Sequence, residues 1–454
     1  MMTERTAVPN LATALMAQTQ SFRVQPGNAS QRVLAKMIKD EHVPFQELID
    51  NSLTAAQDRD LDCKITIEKE FYSDGRVKRF TYGDASGGMP IEEIHLILQA
   101  AGRPTAAHGL SEHGIGLNLT LEYVSQCDLT WTLITQHQGV AYRVVGPVDI
   151  ENPMEWKRLS KAVLPNDGIE LTVENPTIGG YDFPKDINGR SGFYIFISRL
   201  GAVYERKFEE FENRGHSLEI IVRAIRDGDV RERRVIPVGI MWYNHLTGKS
   251  APVTEFEVEV EDVTVHVEFG TTYAYNDRKK NAGAFRINSP PNSKGTVPYH
   301  SVNCYTHPYR NVSDNGGTLV VFEGKVLNLG ACKNGQFMDT TLVDTGSTGA
   351  WSLYSDLRMI ITVKRGLGTM ATKDGLATSP AWQAVLKKIS LILRDELPHP
   401  TTGETRHWLR TYVLRQKGQQ TRLHEHVIRD RVAAYKRTMP NIAKVITEKK
   451  TDYG

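Results

Sequence analysis

The stretch Glu47-Leu48-Ile49-Asp50-Asn51 places two carboxylates and an amide within about one helical turn. At helical spacing, positions 47, 50, 51, 54 and 58 share one face, opposite an apolar stripe of Phe45, Leu48, Ile49, Leu53 and Ala56. The Asn51 amide oxygen is a neutral hard ligand of the kind Mg²⁺ takes. Glu47, a carboxylate one turn earlier, can polarise a water beside such an ion. Taken alone, the pentapeptide fits a solvated helix face equally well. A second group is Asp84-Ala85-Ser86-Gly87-Gly88-Met89. Its aspartate can accept a hydrogen bond from the exocyclic amine of adenine, Gly88 lets backbone approach a base closely, and Met89 can pack on the ring face. A strand-to-helix turn that merely uses glycine accounts for the same residues. The third group, Gly109-Leu110-Ser111-Glu112-His113-Gly114-Ile115-Gly116-Leu117, runs into an apolar helical stretch that ends at Tyr123. Glycines at a helix start free backbone N–H groups to hold phosphate, and the helix dipole favours the anion. No Gly-Lys-Ser/Thr follows, so the segment is not a Walker A loop.

Several elements must position these groups. Pro44 suits the first turn of the helix that carries Glu47, and an earlier helix starts near Ser30 with Val33, Leu34, Met37 and Ile38 on one face. A hairpin turns on Asp74-Gly75 between strands at 65–67 and 79–82. A short helix near Ile91–Ala101 and strands at 129–135, 140–148, 169–173 and 193–198 follow. From about 206 to 398 a second region begins with clear alternation: Phe256, Val258 and Val260, then Val263, Val265, Val267 and Phe269. Loops fill 287–298 and 312–317, strands return at 318–322 and 358–364, and a helix near 380–396 closes the region.

In chain order, the acid-amide helix, the Asp with Gly-Gly-Met and the glycine-bounded helix start resemble the GHKL ATPases, the group of gyrase B, heat-shock-90 chaperones, sensor histidine kinases and MutL. Glu47–Ser52 resembles their N-box, Asp84–Met89 their adenine box, and Gly109–Leu117 their lid and phosphate box. The resemblance implies an α+β protein: a Bergerat-type ATP-binding α/β sandwich over 29–205 after an arm at 1–28, an α/β transducer domain at 206–398, and a basic helical tail at 399–454. It implies that Glu47 activates the attacking water, Asn51 binds Mg²⁺ and Asp84 reads adenine. Gly88, Met89, Gly109, Gly114, Ile115, Gly116 and Leu117 would then surround ATP. Two departures stand out: Asp-Asn-Gly is Asp84-Ala85-Ser86 here, and Ser111 stands where many members carry Gly. The Gly-Thr strand expected after the phosphate box is best matched by Gly192-Phe193-Tyr194-Ile195, with Gly168-Ile169-Glu170-Leu171-Thr172 as the weaker match.

Within that family, Gly324-Lys325-Val326-Leu327-Asn328 looks like the exposed strand turn of the microrchidia (MORC) transducer domain. Thr369–Asp374 looks like its lysine-bearing loop, and Trp382 lies in the helix that follows. The resemblance assigns Lys373 the γ-phosphate contact, where a point charge stabilises developing negative charge. It implies an ATP-dependent homodimer that turns over slowly because the chemistry waits on closure, with an N-terminal arm that can cross to the partner.

Function classes narrow further on composition. Across 454 residues, 55 Lys and Arg against 53 Asp and Glu leave a net charge of +2, so no global basic field marks a dedicated nucleic-acid binder. The last 56 residues differ, with twelve basic against five acidic side chains, which suits phosphate contacts as well as an ordinary solvated helix. No run approaches the roughly 20 apolar residues of a membrane span, and Cys63, Cys127, Cys304 and Cys332 lack zinc or disulfide spacing. A reducing compartment follows as the expectation: cytoplasm, or nucleus in a eukaryote. No His occupies residues 1–41, which disfavours a sensor kinase. His42, His108 and His113 lack a second ligand at metal spacing, and Tyr299, Tyr305 and Tyr309 suit a half-buried strand better than base stacking. The readings that remain are a MORC- or MutL-like ATPase associated with DNA, in chromosome maintenance or defence against foreign DNA, a heat-shock-90-like chaperone, and an ATP-dependent scaffold that recruits an effector protein such as a nuclease.

Overall fold

Alternating apolar residues and two-residue turns account for most of the strands. The computed structural model describes residues 20–22, 41–98, 116–125, 130–146, 154–184, 192–237, 242, 251–271, 317–327, 357–368, 376, 379–393 and 396–405. They fall into two compact units, each discontinuous in sequence: 1–183 with 211–234, and 184–210 with 235–454.

The first unit is built on a nine-stranded mixed sheet. Its strands are β1 (Gln20–Phe22), β2 (Cys63–Phe71), β3 (Val77–Asp84), β4 (Trp131–His137), β5 (Val140–Gly146), β6 (Met154–Arg158), β7 (Gly168–Glu174), β8 (Leu218–Arg226) and β9 (Asp229–Arg234). They are ordered β1-β6-β5-β4-β7-β3-β2-β8-β9, with β2 and β8 parallel. The β2–β3 connection turns at Gly75 with φ +93°, as Asp74-Gly75 predicts. Gln138-Gly139 and Asp227-Gly228 each have φ positive at both positions, the type I′ geometry whose twist matches the flanking strands.

One face of this sheet is covered by helices. Helix α1 (Val43–Asp58) has Pro44 in its first turn; α3 (Gly116–Ser125) packs beside it, and α2 (Ile91–Leu98) packs on α3. The predicted stripe of Phe45, Leu48, Ile49, Leu53 and Ala56 is fully buried. Each large member contributes roughly 1.5–3 kcal/mol. Phe45 meets Phe80 edge-on at 5.7 Å. The helix stops where Asp60 turns left-handed at φ 55° and the Leu61 N–H returns to the Ala56 carbonyl. The other sheet face carries cross-strand ion pairs instead, among them Arg79–Glu174 at 2.7 Å and Arg223–Glu68 at 3.7 Å.

The second unit contains a five-stranded mixed sheet: β10 (Thr254–Val260), β11 (Val263–Thr271), β12 (Gly317–Phe322), β13 (Lys325–Val326) and β14 (Leu357–Arg365). The order is β10-β11-β14-β12-β13, with β12 and β14 parallel. The predicted alternation holds, since Phe256, Val258, Val263, Val265, Val267 and Phe269 are buried and Val260, at the strand end, is half-buried. This unit also holds α4 (Gly192–Val203), the first part of α5 (Glu205–Asn213) and α6 (Pro380–Leu393), which carries buried Trp382. His399 is buried: its Nδ1 accepts the N–H groups of Thr401 and Thr402, each at 3.2 Å, so its Nε2 donates to Thr254 Oγ1 at 2.7 Å. The protein is thus of mixed α+β class with two mixed sheets. Among the described residues no helix is long and apolar enough to cross a membrane.

The structure corrects four expectations. Residues 193–198 are helix rather than strand, because the apolar pattern resumes past Ser198-Arg199 through Leu200, Ala202 and Val203 to make a twelve-residue element, and length separates helix from strand where periodicity does not. A second region starting at 206 gives way to an interleaved arrangement, because β8 and β9 complete the first sheet. The Gly324-Lys325 turn is buried rather than exposed, with Lys325 1% exposed. Within the N-terminal arm, Gln20–Phe22 pairs with Met154–Trp156 of the same chain. The rest of the arm, the helix near Ser30, the loop 287–298 and the tail from 406 lie outside the described residues.

Candidate functional site

Helix α1 does not present a solvated polar face. Glu47 is 1% exposed and Asp50 is fully buried, while Asn51 is half-buried. Carboxylates are almost never enclosed this way unless the surroundings are built for them. The simple surface explanation of the pentapeptide therefore fails at two of its three polar positions.

Ser52, the residue after Asn51, ties this helix to Asp84 at the end of β3. Its hydroxyl donates to Asp84 Oδ2 and also lies 2.7 Å from the Tyr82 hydroxyl and 3.2 Å from the Leu48 carbonyl oxygen. The Tyr82 hydroxyl has a second acceptor in reach, Leu48 O at 3.0 Å. The other carboxylate oxygen, Asp84 Oδ1, accepts the Ser86 N–H at 3.1 Å, the Ser86 hydroxyl at 2.8 Å and the Ile169 N–H at 3.3 Å. Burial pushes the Asp84 carboxyl above its ordinary range, against the opposing pull of the Ser52, Ser86 and Ile169 donors. Burial likewise pushes the Tyr82 phenol and the neighbouring Cys63 thiol well up. An aspartate has about four lone-pair sites for such bonds. Oδ1 is fully engaged here, and Oδ2 keeps room for one further donor.

The loop after Asp84 is fastened at several points. Arg59 donates to Ser86 O at 2.9 Å, His137 Nδ1 lies 2.8 Å from Gly87 O, and Thr135 Oγ1 bonds both the N–H and the carbonyl of Met89, each at 2.8 Å. Gly88 has φ +63°, and a Cβ there would overlap the carbonyl of Gln136 on β4. Its missing side chain thus serves the approach of strand to loop, where the sequence suggested the approach of backbone to a base. Met89 remains half-exposed beside this loop.

Strand β7 lies between β3 and β4, and places Ile169 opposite Asp84. A Cβ at Gly168 would overlap the Asp84 carbonyl. The weaker of the two sequence matches to a Gly-Thr strand, Gly168-Ile169, is therefore the one beside Asp84, and Gly192–Ile195 is part of helix α4. Ile169 brings no hydroxyl to that position, and the hydroxyls at Asp84 come from Ser52 and Ser86 instead.

Helix α3 begins at Gly116, buries Leu117 and donates from Thr120 Oγ1 to the Pro44 carbonyl of α1 at 3.2 Å. The described parts of all three motifs therefore sit together: the Glu47 helix, the Asp84 strand end and the Gly116 helix start. Gly109, Gly114, Ile115 and Lys373 lie outside the described residues. Ser52, Ser86 and Tyr82 were visible in the sequence but carried no assigned role. The signal for Ser52 was its place one residue after Asn51 on a helix that must face β3. Among the described residues, no group of three or more His, Cys, Asp and Glu has the arrangement to hold a metal ion. No protein-family model matches the chain, and no characterised protein matches its sequence.

Proposed function

We propose that the first unit binds ATP with Mg²⁺ and hydrolyses it slowly, as a member of the GHKL group with a Bergerat-type fold. The observation that carries this reading is the Ser52–Asp84 hydrogen bond, which joins the acid-amide helix to the aspartate-glycine strand end while α3 packs along the same helix. The remaining acceptor position on Asp84 Oδ2 suits the exocyclic amine of adenine. Half-buried Asn51 offers a neutral oxygen for Mg²⁺, and the bound ion would supply charge neutralisation on the phosphates. Glu47, one turn before Asn51, has the place of a general base that takes a proton from water. Gly116 and the start of α3 would lie towards phosphate, where exposed N–H groups and the helix dipole favour an anion.

Magnesium-dependent binding of a labelled non-hydrolysable ATP analogue to the full chain is the direct test. Binding by the wild type that is lost in Asp84→Asn supports the reading, and no uptake by the wild type overturns it.

On the same reading the protein acts as an ATP-gated dimeric clamp or switch associated with DNA, of the MORC or MutL kind, in the cytoplasm or nucleus. The resemblance and the basic tail support this. DNA-stimulated hydrolysis that weakens steeply with salt is the expected behaviour. Stimulation by protein clients without DNA would favour a heat-shock-90-like chaperone. A second reading has its own observation in the burial of Glu47. A base closed off from water suits a scaffold that holds ATP, scarcely turns it over and recruits an effector. In that case wild type and Glu47→Ala hydrolyse at the same rate.

A further inference from the structure

The hydroxyls behind Asp84 can be counted hydrogen by hydrogen. Tyr82 and Ser52 each have one to give, and the acceptors in reach are Leu48 O, Asp84 Oδ2 and the two hydroxyl oxygens themselves. When Asp84 is ionised, the chain runs inward: Tyr82 donates to Ser52, and Ser52 donates to Asp84. When Asp84 is protonated it reverses, with Asp84 donating to Ser52 while Ser52 and Tyr82 donate to Leu48 O. Both arrangements use short existing contacts and need no movement of heavy atoms.

We propose that Tyr82, acting through Ser52, is a positioning residue that holds Asp84 as an acceptor for a ligand amine. This rests on the nucleotide reading of the site and adds a determinant of base recognition to it. The other groups facing Asp84 leave this role open. From α1 comes Ser52, with buried Asp50 acting on Tyr82, from β2 the Cys63 thiol, from the following loop Ser86, and from β7 the Ile169 N–H. Asp50 adds negative charge near Tyr82 and Cys63 adds a weak donor at most. Arg59 is engaged at Ser86 O. Donation along the Tyr82–Ser52 chain is therefore what favours the ionised form from the Oδ2 side, and hydrogen bonds in such a chain strengthen one another.

The two arrangements respond differently to substitution. In Tyr82→Phe the protonated form loses only the Tyr82 bond to Leu48 O, an acceptor that Ser52 still reaches at 3.2 Å. The ionised form loses the donor that supports Ser52. In Ser52→Ala the ionised form loses its direct donor on Oδ2, a bond to a charge and hence the stronger of the two.

The test follows the Asp84 carboxyl by ¹³C NMR in the unliganded full chain, assigned by Asp84→Asn, together with the pH profile of ATP-analogue binding. Tyr82→Phe should move the carboxyl titration to higher pH, and Ser52→Ala should move it further. At a fixed pH on the acid limb, binding should fall about threefold in Tyr82→Phe and about tenfold or more in Ser52→Ala, while the neutral-pH plateau changes less. A Tyr82→Phe protein that keeps its near-ultraviolet circular dichroism but leaves the Asp84 titration unmoved overturns the proposal. If the titration moves as expected and no adenine nucleotide binds at any pH, the positioning role stands and the nucleotide reading falls.

Discussion

At the scale of single residues, buried Glu47 and half-buried Asp84 are carboxylates with different work to do. Glu47→Ala should retain binding of an ATP analogue and lose roughly 10²–10⁴-fold in turnover, the usual weight of a general base. Steady-state hydrolysis beside equilibrium binding separates the two effects, and unchanged turnover removes Glu47 from the mechanism. Asp84 carries a stability signature as well. Its folded carboxyl titrates above the unfolded one, so the native chain takes up this proton first. The ionised form therefore costs stability at neutral pH, and that cost is relieved as pH falls through the folded value. Asp84→Asn should match or exceed wild-type stability at neutral pH while abolishing nucleotide binding, and the gap should shrink in acid. Denaturant melts at several pH values would measure it, and a mutant much less stable at neutral pH contradicts it. The types and spacing of Glu47, Asn51 and Asp84 were legible because an α-helix and a strand end impose them locally. Ile169 opposite Asp84 was not, because cross-strand partners depend on the order of nine strands.

At the scale of elements, two features of the first unit are built from contacts far apart in sequence. Lys69 on β2 is fully enclosed under the segment that follows β7. Its ammonium donates to the carbonyls of Ile178 at 3.3 Å, Gly179 and Tyr181 at 3.1 Å, and sits 4.4 Å from the Tyr181 ring centroid. Burial lowers its pKa from 10.5 to about 7, with Asp182 and Glu41 pulling the other way. Between those values the unfolded chain holds a proton that the folded chain has released, so stability should rise with pH across that window. The slope is at most about 1.4 kcal/mol per pH unit. Lys69→Met should abolish this rise, and a wild type whose stability is flat over the window counts against the assignment. The glycines make a second comparison. Gly88 and Gly139 both have positive φ, but a Cβ at Gly139 meets nothing within 4 Å, whereas at Gly88 it meets the Gln136 backbone. Gly139→Ala should cost about 1–2 kcal/mol, the strain of a left-handed residue. Gly88→Ala should exceed about 3 kcal/mol and loosen the Met89 loop from β4, and equal losses would show that the close approach is soft. Gly139 could be read from its hairpin, since Gln138-Gly139 has a local signature. The role of Gly88 could not, because the atom it makes room for lies 48 positions along the chain.

At the scale of the whole molecule, the interleaving of the two units decides what a truncation leaves behind. The alternating and turn patterns of the sequence located β10, β11, β12 and β14 and the stripe of α1. They did not reveal that Leu218–Arg226 returns to pair with β2, because a parallel partner carries no local signal. The hairpin at Asp227-Gly228 was readable from the same turn chemistry as Asp74-Gly75, and its strands are what complete the first sheet. A fragment ending at residue 205 would lose β8 with its buried Leu218, Ile220, Val222 and Ala224, and would leave β2 as an open edge beside buried Ile65 and Ile67. At roughly 1.5–3 kcal/mol per large side chain, the lost burial is comparable with the whole stability of a domain. An exposed apolar edge also invites pairing between chains. The 1–205 fragment should therefore aggregate or melt without cooperativity, whereas extension to residue 237 restores both strands and should recover a cooperative transition. Light scattering and thermal melts on the two fragments measure this directly. A soluble, cooperatively melting 1–205 fragment would mean that β8 is dispensable, and the nine-stranded arrangement would then have to be abandoned.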